Sequence, residues 1–465
     1  MTIPPRLDPL LSQGATPIEL ARLFGAAGRS LYLVGGTVRD ALLGRANEDL
    51  DFATDARPDE IKSIVGDWAS DLYLAGEAFG TVGAVRGGSV HEITTFRSEV
   101  YFDDSRKPTV SFSDSVAEDL SRRDFTVNAL AIRLPTEPDQ HPEILDLHGG
   151  LADLGSQVLR TPLRAEVSFG DDPLRMLRLY RFVATLGFSP HESTSAAVPD
   201  MAIRLEIVSA ERIRDELGKL LVGSSVGPGL DGLIDSSLAS YFIPEVPALA
   251  LEQDPIHRHK DVLAHTVAVV EKVEPHLERR LAALFHDVGK PATRFIGPRG
   301  VTFHHHEVVG ARMARRRMEA LRFSRRQVRD VSELVFLHMR PHTYKMGWTD
   351  SAVRRYVRDA GDLLDALNDL VRSDVTTRNE KRARAIARRI DELEDRISAL
   401  REQEELDSIR PPIDGNQVMN YLGIEPGPEV GEIMRLLTEH RLDHGPYSEQ
   451  EAFRLLDEWR DGDGA

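Results

Sequence analysis

Residues 35–54 read GGTVRDALLGRANEDLDFAT and directly follow an apolar run, LYLV, at residues 31–34. Within this stretch Asp49 and Asp51 alternate with apolar residues. On a β-strand this period of two places both carboxylates on one face and the apolar side chains on the other, toward a core. The segment therefore predicts a strand with a paired carboxylate face, in a domain that mixes strands and helices.

The glycine pair Gly35 and Gly36 separates the apolar run from a stretch of helical pattern that carries Arg39. Backbone N–H groups at such a turn can approach a triphosphate. Two carboxylates on one strand face offer the oxygen ligands that Mg²⁺ prefers beside substrate phosphates. A pair of such ions can activate an attacking hydroxyl and neutralise a leaving pyrophosphate. We therefore predict a two-Mg²⁺ catalytic site at Asp49 and Asp51.

A third acidic ligand is expected from a neighbouring strand, and Glu92 in the strand-like segment HEITTFR is the candidate. An ordinary surface carboxylate is the alternative at that position. Further along, the segment RRDFTVNA contains a short polar cluster that can contact the sugar and phosphates of a nucleotide. Its members are Arg122, Arg123, Asp124 and Asn128.

The segment DDPLRMLRLYRF places Asp172 and Arg175 three residues apart. At helical spacing the two side chains share a face, with acceptor oxygens beside a planar donor fork. Such a pair can mimic the edge of a base, whereas a weak surface ion pair is the plainer alternative. Arg178 and Arg181 continue the same spacing and are counted with the nucleotide-binding residues.

Strand-rich runs alternate with helical stretches from Ile18 to Arg133, which is typical of a mixed α/β domain. Strand signals nearly vanish beyond Asp172, where long helical patterns are broken at glycine and proline. Residues 379–403 form one highly charged helical pattern, and RPPIDG at residues 410–415 ends it. The predicted fold class is α+β and mostly helical, with a mixed sheet at the N-terminus followed by all-α regions.

The composition is that of an ordinary globular chain. Its 465 residues are 41% hydrophobic and 29% charged, which argues against disorder and suggests about three domains. The net charge of −17 opposes non-specific adhesion to nucleic acid or anionic membrane, and the lack of cysteine excludes disulfides and thiolate nucleophiles. No apolar run is long enough to span a membrane and no signal peptide is evident. We expect a cytoplasmic protein with no membrane partner.

The acidic balance reverses locally between Ala311 and Asp330, a segment with eight arginines and two acidic residues. A basic stripe on an acidic body can hold a phosphate backbone. A solvated helix face is the alternative explanation of the same run. The arginines predicted to bind RNA are Arg315, Arg316, Arg317, Arg325 and Arg326.

A block rich in histidine contains IHRHKDVLAHT, LAALFHDVGKPATR, FHHHEVVG and VRSDVTTR. Adjacent His286 and Asp287, on a predicted apolar helix, suit a metal site with nitrogen and oxygen ligands. The histidines at residues 304–306 are further candidate ligands, and Lys290 can neutralise a phosphate oxygen. The block predicts a second divalent-metal site, separate from the carboxylate site.

The ordered motifs GGTVRDALLGRANEDLDFAT, HEITTFR, RRDFTVNA, DDPLRMLRLYRF and ERIRDEL resemble the bacterial class II tRNA nucleotidyltransferase and poly(A) polymerase family, over residues of about 31–225. The resemblance implies a polymerase-beta-like nucleotidyltransferase head followed by a helical neck, body and tail. It assigns Asp49 and Asp51 to two metals, and Asp172 with Arg175 to protein-templated recognition of CTP and ATP. The polar cluster of RRDFTVNA corresponds to the family's ribose and triphosphate motif.

The histidine-rich block resembles HD-domain metal-dependent phosphohydrolases, which implies a second divalent metal in this part of the chain. Such domains have phosphodiesterase or phosphatase activity in some relatives and are vestigial in others. The implied ligands are His265, His286, Asp287 and Asp374. The implied regions are a catalytic head at 1–150, a neck for base recognition and RNA binding at 151–250, an HD-type region at 251–380 and an RNA-binding tail at 381–465.

The expected activity is addition or repair of the 3′-terminal CCA of tRNA from CTP and ATP, without a nucleic-acid template or an obligatory protein partner. Poly(A) polymerase is the alternative within the family, although FGTVGAVRGGSVHEITTFR looks like the CCA-adding kind. The following loop, with Tyr101, Arg106 and Lys107, favours full CCA addition over CC-only addition. Two other classes stay open: an HD phosphohydrolase as the main activity, and an RNA-binding protein with silent active sites.

Overall fold

A computed structural model describes residues 3–45, 50–100, 109–137, 140–251, 262–297, 300–341, 348–375, 380–404 and 409–462. The chain divides into two compact units, Met1–Pro247 and Ala248–Ala465. Within the described ranges, no helix has both the length and the apolar character that crossing a membrane requires.

The first unit is built on a seven-stranded mixed sheet. The strands of this unit are β1 Leu31–Val34, β2 Leu50–Thr54, β3 Asp71–Tyr73, β4 Thr81–Arg86, β5 Ser89–Thr95, β6 Arg97–Val100, β7 Thr109–Phe112, β8 Leu130–Arg133, β9 Glu143–Asp146, β10 Val158–Leu159 and β11 Ser189–Pro190. The large sheet has the order β3-β4-β5-β2-β1-β8-β9. Its β2–β5 pair is parallel and its other neighbours are antiparallel.

Helices surround this sheet and then continue alone toward the end of the unit. They are α1 Asp8–Leu11, α2 Thr16–Ala26, α3 Gly36–Leu42, α4 Pro58–Val65, α5 Val116–Ser121, α6 Gly150–Ser156, α7 Ala165–Asp171, α8 Leu174–Leu186, α9 Glu192–Ser195, α10 Val198–Met201, α11 Ala210–Leu221 and α12 Val226–Asp235. Helices α11 and α12 both pack on α8. Gly232 allows the close approach of α12, because a Cβ there would lie 2.4 Å from the ring of Tyr180.

The two faces of the large sheet differ. One face is covered by α2 and α4 and buries an apolar row of Leu33, Phe52, Ile93 and Val82 that is in register across four strands. On the opposite face, β1, β2 and β8 are closed by α5 through a cluster of Tyr32, Val34, Ala53, Phe96, Leu120 and Ala131. Beyond β2, toward β3, this second face includes the exposed side chains of Glu92, Val90 and Tyr73.

In its described residues, the second unit is helical apart from one short hairpin. Its elements are α13 Val262–Lys272, α14 Leu277–Phe285, α15 Lys290–Thr293, β12 Phe295–Gly297, β13 Gly300–Thr302, α16 His306–Ala320, α17 Arg325–Leu337, α18 Asp350–Ala360, α19 Leu364–Ser373, α20 Glu380–Gln403, α21 Gly415–Leu422, α22 Pro428–His444 and α23 Glu449–Gly462. Helices α14, α16 and α17 pack together. The last three helices have a core of their own, formed by Ile413, Val418, Ile433, Leu437, Ala452 and Leu456.

The predicted fold class is confirmed, with a mixed sheet first and helices after it. The charged helix before RPPIDG is also confirmed, as α20. The sequence patterns did not identify β3 and β9, which are short edge strands. The segment at residues 97–112 was interpreted as a loop, but its two ends form the paired strands β6 and β7. The predicted loop residues Tyr101, Arg106 and Lys107 lie outside the described residues.

Candidate functional site

Two carboxylates lie side by side on the partly open face of the sheet. The register of β2 and β5 places Asp51 directly opposite Glu92, and opposed residues on adjacent strands project from the same face. The Asp51 backbone N–H donates to Thr37 Oγ1 over 2.9 Å, which ties the strand to the first turn of α3. Asp49 lies outside the described residues. The sequence-predicted partners Asp51 and Glu92 are thus brought together, while their role as metal ligands stays a prediction.

Gly35 borders this pair at the turn between β1 and α3. Its φ of +67° lies in the left-handed region that favours glycine. A Cβ at this position would lie 2.8 Å from Arg123 Nη1 and 3.8 Å from Asp51 Oδ2. The glycine therefore lets the Arg123 guanidinium pack against the turn, within reach of Asp51, and places a phosphate-binding group beside a carboxylate that suits a cation.

Arg122 and Arg123 are held by one buried carboxylate, Asp119. Arg122 Nη2 donates to Oδ1 of Asp119 over 2.8 Å and Arg123 Nη2 donates to Oδ2 over 3.1 Å. Burial alone would raise the pKa of Asp119, but the two arginines outweigh it and lower that pKa. The sequence patterns did not single out Asp119, whose function is to fix the two predicted phosphate contacts.

Four further polar residues of the first unit form one connected network of hydrogen bonds. Arg39 Nη1 donates to Asn128 Oδ1 over 2.6 Å, Asn128 donates to Asp124 Oδ1 over 2.9 Å, and Arg178 Nη2 donates to Asp124 Oδ2 over 2.6 Å. Burial would raise the pKa of Asp124, but Arg178 and Asn128 hold it well below its usual range. Four of the sequence-predicted residues are thus ordered as a single unit.

A pocket of about 330 Å³ opens beside this network. Arg181 lies 3.7 Å above the ring of Phe182 and pairs with Glu216 at 2.9 Å. Burial, followed by the nearby Arg178, lowers the pKa of Arg181 to about 10. Residues with charged side chains in the lining are Arg39, Asp40, Arg45, Arg181 and Lys219. Glu216 was not singled out from the sequence, although it belongs to the ERIRDEL motif.

The predicted helical pairing of Asp172 with Arg175 is wrong in its geometry. Asp172 is extended, with φ −143°, between α7 and α8, and its carboxylate pairs with Arg212 Nη2 at 2.9 Å. The guanidinium of Arg175 is buried and donates to the Ser168 hydroxyl over 2.9 Å and to the Arg122 carbonyl. A proline at position 173 explains the break, because it disfavours helical conformation in the residue before it. The role of these residues in base recognition stays a prediction.

The second unit contains a separate group of candidate metal ligands. His265 Nε2 lies 2.8 Å from Asp374 Oδ1 and 3.3 Å from His286 Nε2. His286 Nε2 lies 3.2 Å from Asp287 Oδ2. These are four of the sequence-predicted residues, and the structure brings all of them together. One local prediction is wrong, since His286 and Asp287 follow the end of α14 rather than lying within it.

Asp287 also belongs to a second group, with His306 and His338. His306 Nε2 lies 3.5 Å from Asp287 Oδ1 and 3.3 Å from His338 Nε2. Of the HHH run, only His306 is buried, while His304 and His305 are exposed. His338 was missed because it follows an apolar helix and lies 32 residues from its histidine partner.

Three histidines of these groups are oriented by the same backbone contact. The Nδ1 atoms of His286, His306 and His338 lie 2.6–2.9 Å from the carbonyl oxygen three residues earlier. An Nδ1–H that donates to a carbonyl fixes the ring with Nε2 toward a metal. Burial would lower the pKa of His286, but Asp287 and Asp374 raise it to about 10, so a metal bound there would displace the Nε2 proton. All three Nε2 atoms are directed into the cluster. We call the six residues His265, His286, Asp287, His306, His338 and Asp374 the histidine cluster.

The electrostatics of the histidine cluster favour anionic carboxylates. Burial would raise the pKa of Asp287, but His286 and Lys290 keep it well below its usual range. Burial and the neighbouring His286 lower the pKa of His338 to about 3, so its imidazole is neutral near pH 7. Lys290 Nζ donates to Asp287 Oδ2 over 2.5 Å. A dianionic, imidazole-rich donor set of this kind fits a divalent transition metal or zinc.

The predicted basic stripe lies on α16, α17 and the turn between them. Of the five arginines predicted to bind RNA, Arg317 is half-buried, while Arg315, Arg316, Arg325 and Arg326 are exposed. Arg326 forms a 3.4 Å ion pair with Asp330. The inner ends of the same two helices contribute to the histidine cluster, because α16 begins at His306 and α17 ends immediately before His338.

Three family descriptions match consecutive parts of the chain. Residues 31–160 match "Poly A polymerase head domain", residues 187–249 match "Probable RNA and SrmB- binding site of polymerase A", and residues 262–397 match "HD domain". The carboxylate pair lies in the first of these segments and the histidine cluster lies in the third.

Curated relatives and solved structures agree with these matches. The chain is 41% identical over 242 residues to the CCA-adding enzyme of Streptococcus sanguinis strain SK36, covering 52% of this chain and 58% of the relative. It is 41% identical over 237 residues to the CCA-adding enzyme of Latilactobacillus sakei, covering 51% and 57%. The chain thus spans somewhat more than half the length of the curated relatives it matches.

Among solved structures, the chain resembles the Bacillus stearothermophilus CCA-adding enzyme in complex with CTP. The TM-score is 0.70 at 23% identity, and 99% of each chain is covered. The Thermotoga maritima CCA-adding enzyme complexed with tRNA has a TM-score of 0.60 at 18% identity, with 98% of this chain and 95% of that chain covered. At these identities the likeness establishes the fold.

Proposed function

We propose that this chain, which carries a poly A polymerase head domain, a polymerase A RNA-binding region and an HD domain, adds or repairs the 3′-terminal CCA of tRNA. CTP and ATP are the substrates, pyrophosphate leaves, and no nucleic-acid template is used. The observation that supports this most directly is the opposition of Asp51 and Glu92 beside the Gly35 turn, against which Arg123 packs. The four regions predicted from the sequence, at 1–150, 151–250, 251–380 and 381–465, are proposed with it.

The donor set of the head fits Mg²⁺, because its candidate ligands are carboxylate oxygens on one strand face. Asp51, Glu92 and the strand-adjacent Asp49 would hold the ions. Bound there, they would supply activation of the terminal ribose hydroxyl and neutralisation of charge on the leaving pyrophosphate. The hydroxyl oxygen would form a new bond to the α-phosphorus as its proton passes to solvent, and the bond from that phosphorus to the α,β-bridging oxygen would break, so that this oxygen leaves with the pyrophosphate.

The chain's own residues bind and orient the nucleotide in this proposal. Arg123, fixed by Asp119, packs against the Gly35 turn near Asp51 and can neutralise a phosphate oxygen. Arg39 and Arg178 are held at set positions by Asn128 and Asp124, so little ordering is needed when substrate binds. This preorganisation is the contribution that a rigid, buried network can make to catalysis.

Base selection is proposed for Asp172 and Arg175, in a different arrangement from a simple helical pair. Asp172 is held by Arg212 and Arg175 by Ser168, so each side chain is oriented by its own partner. Their acceptor oxygens and donor nitrogens can read the exocyclic amine and ring atoms that cytosine and adenine present. Arg212→Ala should therefore relax discrimination against UTP more than it lowers the overall rate.

The proposed function is tested by incubating purified protein with Mg²⁺ and labelled CTP or ATP. The primers are tRNA transcripts that end before, within and after CCA, together with an oligo(A) primer. Growth that stops at completed CCA on tRNA alone is the expected result. Long adenylate tails on any primer would identify a poly(A) polymerase instead, and growth that stops after CC would identify a CC-adding enzyme.

A second activity is supported by the histidine cluster, whose six ligand-bearing side chains converge around Asp287. We propose that it binds divalent metal and hydrolyses phosphoester substrates such as 2′,3′-cyclic nucleotides. Lys290 and Asp287 lie together at one side of the cluster, where a lysine can neutralise a phosphate oxygen. The direct assay measures formation of the nucleoside 2′- or 3′-monophosphate in the presence of Ni²⁺, Co²⁺, Mn²⁺ or Mg²⁺.

A further inference from the structure

A cross-strand row leads away from the carboxylate pair to an exposed aromatic residue. Asp51 is opposite Glu92, Glu92 is opposite Gly83, and Gly83 is opposite Tyr73. Residues opposed in this way project from one face of the sheet. Three strand spacings of about 4.8 Å separate the first member from the last, or about 14 Å in all. The sheet thus places an aromatic ring in line with the candidate catalytic carboxylates.

Gly83 makes room for the base of the Tyr73 side chain. A Cβ on Gly83 would lie 3.1 Å from Tyr73 Cβ and 3.2 Å from Val90 Cγ1, so both side chains close over the glycine. Tyr73 nevertheless stays 62% exposed and Val90 39% exposed. On the other flank, Thr81 Oγ1 and Thr94 Oγ1 lie 3.0 Å apart in a hydroxyl pair. The result is a small, flat apolar surface with a polar border.

Along the strand order, this surface and the predicted nucleotide-binding residues lie on opposite sides of β2. Asp51 on β2 is followed in one direction by β1 and β8, and in the other by β5, β4 and β3. Gly35 and Arg39 come directly after β1, and the polar cluster at residues 122–128 comes directly before β8. The incoming nucleotide is therefore expected on the β1 and β8 side. The opposite side is left for the strand that is extended.

We infer that Tyr73, seated on Gly83, is the stacking surface for a base near the 3′ end of the RNA primer. This inference rests on the proposed function. An aromatic ring stacks on any base with similar strength, and each such contact is worth enough to change affinity severalfold. A sequence-tolerant surface suits a primer whose terminal base changes with each addition. At about 3.4 Å per stacked base, the 14 Å row reaches one of the last four nucleotides.

The test uses tRNA transcripts that lack only the terminal adenosine and carry 2-aminopurine at one of the last four positions. Binding is followed by 2-aminopurine fluorescence, and extension kinetics give KM for the primer and for ATP separately. Tyr73→Ala should raise the primer KM about tenfold and remove the fluorescence change at one position. It should leave KM for ATP unchanged, and Tyr73→Phe should behave as the wild type.

Phe295→Ala is the control, because Phe295 is a 65%-exposed aromatic residue on the short β12–β13 hairpin, outside the regions proposed to bind RNA. An unchanged primer KM in folded Tyr73→Ala would overturn the inference, as would a rise confined to KM for ATP. A lower unfolding temperature with wild-type primer binding would show that the ring only covers Gly83. Failure of the proposed function is a different result, since the wild-type protein would then extend no primer.

Discussion

The carboxylate pair of the head and the histidine cluster of the second unit place candidate metal ligands in different surroundings. Asp51 is half-buried and Glu92 exposed on an open sheet face, next to a glycine turn and several arginines. In the histidine cluster, His286, Asp287 and His338 are almost fully buried and each imidazole is fixed by a backbone carbonyl. The first arrangement leaves room for large substrates beside its ligands. The second holds its ligands whether or not a substrate is present.

This difference predicts how the two sites should respond to added and removed metal. Carboxylates on an open face bind Mg²⁺ weakly by themselves and are completed by substrate phosphates. Imidazoles with fixed Nε2 atoms bind a transition metal without help from substrate. We therefore expect the purified protein to retain metal at the histidine cluster after dialysis and to need added Mg²⁺ for nucleotide transfer.

The largest expected effect is the loss of nucleotide incorporation, without loss of phosphoester hydrolysis, when a single carboxylate is replaced. Asp51→Asn should lower CTP and ATP incorporation on the order of 10³-fold or more, because a neutral amide cannot replace a carboxylate ligand of a two-metal site. Phosphoester hydrolysis by the histidine cluster should be unchanged in the same preparation. Asp71→Asn, at an exposed position of the same sheet, is the control and should retain full incorporation. Wild-type incorporation by Asp51→Asn would refute the assignment.

The next effect tests whether the buried network of the head is rigid on its own. Arg178→Met removes the partner of Asp124, which is 8% exposed, and should cost about 3–5 kcal/mol because a buried charge is left unpaired. Thermal unfolding should then show the transition of the first unit at lower temperature, with that of the second unit unmoved. Arg164→Ala, at an exposed position of the first unit, should change neither transition.

The pH dependence of that loss has a definite sign. The native pKa of Asp124 is depressed, so its contribution to stability is present above the unfolded pKa of about 3.9 and is lost as pH falls. In Arg178→Met the strongest opposition to burial is removed and only Asn128 and Arg181 still favour the carboxylate, so the pKa of Asp124 rises. The difference in unfolding temperature between wild type and variant should therefore be large at pH 7 and shrink below about pH 4. A difference that is constant with pH would show that packing, not charge, stabilises the network.

The sequence predicted the residue types of both sites better than their geometry. Period-two alternation was sufficient to place Asp51 on a strand face, since it depends only on the local conformation. The parallel pairing of β2 with β5, which brings Glu92 beside it, depends on a crossover that no local pattern encodes. Asp172 illustrates the opposite failure, because a three-residue spacing looked helical although the following proline breaks the helix.

The histidine cluster shows why part of a site cannot be identified from the sequence alone. His286 and Asp287 were identified because they are adjacent, and His265 and Asp374 through resemblance. His338 lies in an apolar segment with no polar neighbour on either side in sequence. Only the packing of α16 against α17 brings it to His306. The edge strand β3, with three residues, was likewise too short to show a period.

A smaller effect is expected when the newly identified ligand is removed. His338→Ala should lower metal affinity at the histidine cluster by more than the roughly 10–100-fold that loss of an outer-shell partner costs, and reduce the bound metal measured by inductively coupled plasma mass spectrometry. Nucleotide incorporation with added Mg²⁺ should be retained, in contrast to Asp51→Asn. His276→Ala removes an exposed histidine of the same unit and should change neither quantity. Unchanged metal content in His338→Ala would remove this residue from the ligand set.

The smallest expected effect concerns the outer surface of the helices that supply His306 and His338. Arg315 and Arg316 are exposed on α16, and each arginine that contacts a phosphate adds about 0.7–0.9 to the slope of log affinity against log salt. The double variant Arg315→Ala/Arg316→Ala should therefore lower this slope by about 1–2 for tRNA binding. Arg29→Ala is the control, because Arg29 lies outside the regions proposed to bind RNA and is already paired with Asp55 and Glu60.

Metal content should stay at the wild-type level in the double variant, because Arg315 and Arg316 lie nine and ten residues after His306 along α16 and are not members of the histidine cluster. Together with His338→Ala this would show two separate functions on one pair of helices: an inner end that holds metal and an outer face that holds RNA. An unchanged salt slope would instead make the stripe a solvated helix face. The RNA contacts of the protein would then have to be sought among the helices of the first unit, where the family match for RNA binding lies.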